Sequence, residues 1–133
     1  MPLDLSSFDK ALKSLDKALI RTKKSPADEE LRDACIQCFE YTFELAWKML
    51  KRRVEIDAGV SAEVDTYSKK QLFRVGAERG LIQNVEGWFD YLEKRNLTTH
   101  TYDSDSAGEV FGIIENFSKD AADLLSRLKA CND

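Results

Sequence analysis

Four stretches of the chain place apolar residues three or four positions apart, the spacing at which one face of an α-helix repeats. The first runs from near Ser6 to Lys24, the second from Ser25 to Arg53, and two more surround Trp88 and fill the C-terminal quarter. No stretch alternates apolar and polar residues for long enough to predict a β-strand. We therefore expect an all-α protein, an antiparallel up-down four-helix bundle with one additional short helix.

The second helix is expected to be central, because its apolar residues cover more than one face. One stripe consists of Ile36, Phe39, Phe43, Trp47, Leu50 and Val54. Other faces carry Leu31, Cys38, Tyr41, Leu45 and Met49. A helix that is apolar over so wide an arc must be covered on several sides, by the rest of the bundle or by a second subunit.

Capping residues predict where the helices begin and end. The expected N-terminal caps are Ser6 with Asp9, Ser25 with Pro26, Ser68 with Gln71, Asn84, and Ser106 with Glu109. Gly80 is expected to end the short helix in a left-handed conformation. The pattern breaks around Gly59, which predicts an irregular connection between residues 55 and 67.

A basic run, Lys48, Lys51, Arg52 and Arg53, is expected to end the second helix. Cations at that position would complement the negative end of the helix dipole and remain solvated. The alternative is that they form an edge that contacts phosphate groups or a partner protein.

Composition limits the classes of function. The 133 residues fit a single domain, 1–133, and the formal net charge of −4 means that any contact with nucleic acid must come from a local basic patch. No run is long and apolar enough to span a membrane, and residues 1–4 do not resemble the start of a signal peptide. A cytoplasmic protein without a membrane partner is the expectation.

The three cysteines, Cys35, Cys38 and Cys131, are expected to behave as small apolar residues. An odd number does not favour a disulfide framework, and the C-x-x-C pair lies inside a helical pattern. Further zinc ligands are scarce. No metal and no cofactor is expected.

The candidate chemistry lies in the segment 95–102, which holds the only histidine of the chain. Arg95 offers a planar fork of donors for phosphate oxygens, and His100 can exchange a proton near neutral pH. On an ideal helix the two would lie about 140° apart around the axis. Either the helix ends or distorts between them, or two subunits complete the site. His100 could also simply cap a helix end.

Two stretches together carry a family resemblance: Phe39-Glu40-Tyr41-Thr42-Phe43-Glu44-Leu45-Ala46-Trp47-Lys48, and Arg95-Asn96-Leu97-Thr98-Thr99-His100-Thr101-Tyr102-Asp103. They resemble the HEPN superfamily, and within it the HepT-like branch, also called nucleotidyltransferase substrate-binding proteins. The resemblance implies a four-helix bundle that forms homodimers and assembles with a minimal nucleotidyltransferase. It also implies a toxin of a toxin–antitoxin module, which cuts RNA without a metal.

Carried over from the family, Arg95 would bind the scissile phosphate and His100 would act as general base or general acid. Asn96 would orient the substrate or the histidine. Tyr102 would accept AMP from the nucleotidyltransferase, which would block the cleft by bulk and charge. The alternative is a non-catalytic subunit that binds substrate or serves as a scaffold in a nucleotidyltransferase complex.

Overall fold

The computed structural model describes residues 2–59 and 61–132, and it contains helices and no strand within those residues. The prediction of an all-α bundle is confirmed. The helices are α1 (Ser6–Lys24), α2 (Glu29–Ala58), α3 (Ser61–Val64), α4 (Lys69–Glu78), α5 (Val85–Leu97) and α6 (Ser104–Cys131), with a 3-10 turn at Thr98–His100. None of these helices combines the length and the apolar character that crossing a membrane requires.

The three long helices, α1, α2 and α6, pack against one another, and α4 and α5 cover the remaining side of α2. The short connection between α1 and α2 makes them antiparallel neighbours. As predicted, α2 is central, since it packs against every other α-helix. The stripe from Ile36 to Val54 is fully buried apart from Trp47, which is half-buried.

An aromatic cluster joins α2, α4, α5 and α6 at the centre of the core. It consists of Phe39, Phe43, Phe73, Trp88, Tyr91 and Phe117. The Phe39 and Phe117 rings meet edge to face with centroids 5.0 Å apart, and Trp88 lies 5.8 Å from Phe117 in a similar arrangement. Aromatic pairs of this geometry add about 0.5–1.5 kcal/mol each beyond the burial of their surface. The cluster therefore fixes the position of α5, which carries the candidate motif.

The predicted limits of α2 are wrong at both ends. The cap is Asp28 and not Ser25, because the Asp28 carboxylate accepts hydrogen bonds from the backbone N–H groups of Glu30 and Leu31. At the other end α2 continues past the basic run to Ala58, and Gly59 closes it with a left-handed φ of 69°.

The basic run therefore lies within α2 and does not complement its C-terminus. Arg53 is buried and forms a two-pronged hydrogen-bonded ion pair with Asp57, one helical turn later. The pair neutralises the charge of Arg53, one of the four cations from which a helix end was predicted. Lys48 and Arg52 remain exposed on the same helix.

Two further predicted caps are wrong, although the helix positions are close. α1 begins at Ser6, and its cap position is Leu5, whose side chain makes no hydrogen bond. The Asp4 carboxylate accepts the backbone N–H of Ser6 instead. α6 begins at Ser104, and its cap is Asp103, three residues before the predicted cap Ser106. The caps Ser68 and Asn84 are confirmed, as is Gly80, whose φ is 76°.

Candidate functional site

Arg95 lies near the C-terminal end of α5, in an open groove between α5 and α2. The groove encloses about 540 Å³ and is lined on the α2 side by residues that include Cys38, Tyr41 and Glu44. One guanidinium nitrogen, Nη1, donates to the hydroxyl of Thr98 at 3.1 Å. The Nε lies 3.4 Å from a carboxylate oxygen of Glu44, within ion-pair distance. This Nε is buried and has no well-aligned hydrogen-bond acceptor among the described residues.

Glu44 connects Arg95 to a tryptophan further along α2. One of its carboxylate oxygens faces the Arg95 guanidinium, and the other accepts the indole N–H of Trp47 at 2.9 Å. The carboxylate is thereby held in place next to a cation whose charge it offsets. A phosphate that binds Arg95 has to compete with Glu44. Glu44 was not predicted as a site residue, since nothing in its spacing separates it from an ordinary solvated glutamate.

Asn96 faces a different groove from Arg95, although the two residues are adjacent in the chain. It lines a groove of about 490 Å³ between α4 and α5, together with Lys70 of α4 and Phe89 of α5. Three carboxylates, Glu86, Asp90 and Glu93, share this groove. The amide of Asn96 and the guanidinium of Arg95 therefore do not converge within one chain.

The α-helix ends between Arg95 and His100, which is one of the two arrangements that the sequence left open. The chain tightens into a 3-10 turn, and His100 is the last residue of that turn. Three threonine hydroxyls stabilise it by donating to the backbone carbonyl three residues earlier, from Thr98 to Arg95, from Thr99 to Asn96 and from Thr101 to Thr98. Side-chain donors of this kind satisfy carbonyl groups that a helix end leaves free.

His100 and Tyr102 are the exposed part of the motif. The imidazole is solvent-exposed and lines neither the Arg95 groove nor the Asn96 groove. Its ring meets the Tyr102 ring edge to face at 6.1 Å, and the Tyr102 side chain is 86% exposed. The structure thus brings His100 and Tyr102 together and leaves Arg95 in a neighbouring groove.

The cysteines are free thiols in different environments. Cys35 is fully buried in the core, as predicted, and Cys38 is half-buried, whereas Cys131 is exposed at the end of α6 and is not a packing residue. Within residues 2–59 and 61–132, no three His, Cys, Asp or Glu side chains are grouped as metal ligands would be.

A family model described as nucleotidyltransferase substrate binding protein like matches residues 3–130. A Haemophilus influenzae protein named "Probable ribonuclease HepT" is 31% identical over 98% of this chain and 94% of its own length.

Two solved structures share the fold. One, from Haemophilus influenzae, is described as the fold of a substrate binding domain of a nucleotidyltransferase. It superposes with a TM-score of 0.88 at 30% identity, over 95% of this chain and 99% of its own. A crystal structure of a Thermus thermophilus protein superposes with a TM-score of 0.77 at 31% identity, covering 91% of this chain and 98% of the other.

Proposed function

Since this chain belongs to the nucleotidyltransferase substrate binding protein like family, as its resemblance to HepT-like proteins implied, we propose that it is a metal-independent endoribonuclease. The observation that carries the proposal is the exposure of the only imidazole of the chain, on a turn fixed to the end of the helix that bears Arg95. The naming of a similar protein as a probable ribonuclease supports the same assignment.

In the proposed reaction the ribose 2′-oxygen attacks the adjacent phosphorus while the bond from phosphorus to the 5′-oxygen breaks. His100 takes the proton of the 2′-hydroxyl as general base, or gives a proton to the leaving 5′-oxygen as general acid, and water exchanges the other proton. Arg95 binds the phosphate and offsets the negative charge that builds up on it. A phosphate that reaches this guanidinium competes with Glu44, whose carboxylate oxygen lies 3.4 Å from the buried Nε. Asn96 is proposed to orient the substrate.

A homodimer is part of the proposal, because the side chains of the motif occupy separate surfaces in one chain. A second protomer facing the first across a two-fold axis would place the His100 of one chain near the Arg95 of the other. The shared cleft would then hold one phosphodiester between both groups.

Cleavage of single-stranded RNA in the presence of excess chelator tests the assignment. We expect the purified native chain to cleave and the His100→Ala chain to lose at least about 100-fold in rate, the usual contribution of a general acid or base. Because His100 is exposed, its replacement leaves the core intact, and an unchanged unfolding midpoint serves as the control. Full cleavage by His100→Ala would refute the proposal.

Regulation by a minimal nucleotidyltransferase is the second part of the proposal, in the setting of a cytoplasmic toxin–antitoxin pair. Tyr102 presents its hydroxyl to solvent and lies against the His100 ring, so AMP attached there would cover the imidazole.

In this transfer the Tyr102 hydroxyl loses its proton and attacks the α-phosphorus of ATP, and pyrophosphate leaves. Incubation with the partner nucleotidyltransferase and ATP is expected to add the mass of one adenylyl group to the native chain and to silence it. The Tyr102→Phe chain should resist both effects. The exposed Tyr41 provides a matched control, since Tyr41→Phe should still be modified. Modification of Tyr102→Phe to the same extent as the native chain would exclude this site.

The alternative function is a non-catalytic subunit that binds substrate or serves as a scaffold for the nucleotidyltransferase. The description of the similar Haemophilus influenzae structure as a substrate binding domain favours it. In that case neither the native chain nor His100→Ala would cleave RNA in chelator, while both would still bind the nucleotidyltransferase.

A further inference from the structure

A second recess lies further along α2 from the Arg95 groove, and we name it the Trp47 cleft. It encloses about 250 Å³ between α2, α3 and the start of α4, and its lining includes Trp47, Lys51, Tyr67 and Lys69. Pockets that bury a drug-sized ligand usually measure about 300–1,000 Å³. The volume of the Trp47 cleft therefore suits one part of a larger ligand, such as a single base.

The cleft combines an aromatic face with positive charge. The Lys69 ammonium lies 4.9 Å from the centre of the Trp47 ring and the Lys48 ammonium 5.9 Å from it. Among the described residues, neither lysine has a carboxylate within ion-pair distance. Both ammonium groups lie over the indole ring in cation–π geometry, so a base that stacks on this ring takes the place of one of them. An aromatic platform with cations beside it is the combination with which proteins bind single-stranded nucleic acid.

The one carboxylate in the described lining of the cleft, Asp65, is already paired. Asp65 forms an ion pair of 2.7 Å with Lys51, and this hydrogen bond raises the pKa of the Lys51 ammonium. Glu44 is held by the Trp47 indole and faces Arg95. Lys48 and Lys69 therefore give the rim of the cleft an excess of positive charge, in a chain whose formal net charge is −4.

The cleft is linked to the candidate catalytic motif by a single residue. Glu44 touches both Arg95 and Trp47, so the two sites are neighbours on one face of α2. The seven steps from Glu44 to Lys51 rise about 10 Å along the helix, which is roughly the rise of three stacked nucleotides. A strand whose phosphate binds Arg95 can reach the Trp47 ring with a nearby base.

Resting on the proposed function, we infer that the Trp47 cleft is a docking subsite for the single-stranded RNA substrate. One base stacks on the indole of Trp47, and Lys69 and Lys48 bind the adjoining phosphates. The subsite holds the strand in register while Arg95 and His100 act on a phosphodiester a few nucleotides away. It recognises single strands without reading their sequence, since every base can stack.

Binding of an oligouridylate of about eight nucleotides tests the inference, because single-strand sites cover about 4–16 nucleotides. The protein is the full-length His100→Ala chain in chelator, so that binding is measured without cleavage. Trp47 reports stacking by its fluorescence, whereas Trp88 is buried in the core. We expect quenching on binding, and about fivefold or greater loss of affinity in Trp47→Leu, with affinity retained in Trp47→Phe.

Salt dependence separates a phosphate contact from a structural effect. Lys69→Ala is expected to reduce the slope of log Kd against log salt by about 0.7, the contribution of one phosphate contact on a single strand. The matched control is Lys17→Ala, which removes an exposed lysine of α1 outside the cleft and should leave the slope unchanged. This comparison stands even if Trp47→Leu fails to fold.

The inference is overturned if the oligonucleotide fails to bind, or if Lys69→Ala and the Trp47 variants bind it as the His100→Ala parent does. It is also overturned if the same variants bind RNA normally and lose only the ability to bind the nucleotidyltransferase. A different outcome would overturn the proposed nuclease activity and leave the subsite standing. A native chain that does not cleave, but whose binding depends on Trp47 and Lys69, retains the subsite and loses the catalytic assignment.

Discussion

At the scale of single residues, Glu44 would limit the anions that Arg95 binds in the proposed function. Its carboxylate offsets the guanidinium and is itself oriented by the Trp47 indole. An arginine beside a fixed carboxylate does not bind every anion that approaches, because each must compete with that carboxylate. A phosphodiester held in place by other contacts competes better than a free phosphate ion, since those contacts reduce the entropic cost of placing its phosphate at Arg95.

The sequence identified Arg95, Asn96, His100 and Tyr102 as one motif, but it could not place their side chains. Adjacent side chains on a helix point about 100° apart, which is why Arg95 and Asn96 face different grooves. The partner of Arg95 came from another helix, and no spacing within the motif could reveal Glu44. The threonine hydroxyls of the 3-10 turn were a signal for its geometry, since such side chains often bond to nearby carbonyl groups.

Cys35 provides a residue-scale prediction about pH. Burial raises the pKa of its thiol to about 11 from an ordinary value of 9.0. Because the folded pKa is the higher one, unfolding releases a proton between these values. The thiol therefore contributes stability that is complete below pH 9 and is lost as the pH rises towards 11.

Alkylation of the native protein at mildly alkaline pH checks the burial of Cys35 that raises this pKa. We expect the exposed Cys131 to react first and Cys35 to remain protected until denaturant is added, because only the thiolate reacts and Cys35 is both neutral and buried. Mass spectrometry of the labelled peptides gives the order. Labelling of Cys35 at the same rate as Cys131 in the folded protein would contradict the buried placement.

At the scale of elements, the apolar period located the helices well and their ends less well. The caps Ser68 and Asn84 were found because each stands immediately before a strong apolar pattern. The predicted end of α2 came too early because a run of lysines and arginines resembles a helix end. The ion pair that holds Arg53 within the helix depends on Asp57, which lies in the stretch predicted to be an irregular connection.

The start of α2 gives an element-scale prediction that separates the structure from the sequence pattern. Asp28→Ala removes the acceptor of two backbone N–H groups and is expected to lower the free energy of unfolding by about 1 kcal/mol. Ser25→Ala changes an exposed residue after α1 and should stay within about 0.5 kcal/mol of the native value. Urea unfolding of both variants measures the difference. A larger loss in Ser25→Ala would return the cap to the position first predicted.

At the scale of the whole molecule, the fold keeps the motif on a rigid base while leaving it open to solvent. The aromatic cluster anchors α5 through Trp88 and Tyr91, and the motif begins only after that anchor. The termini are joined as well, since Asn132 exchanges two hydrogen bonds with the backbone of Leu3. His100 does not line the Arg95 groove of its own chain, and in the proposed homodimer a second protomer would complete the site.

Complementation between inactive chains measures this central claim most directly. Arg95→Ala and His100→Ala are purified separately, mixed, dissociated and reassociated, and their cleavage of single-stranded RNA is measured in chelator. If Arg95 of one protomer acts with His100 of the other, each variant alone is inactive. The mixture then recovers up to about a quarter of the native rate, because half of its dimers carry one intact site. No recovery in reassociated mixed dimers, or native activity in either variant alone, would contradict the account.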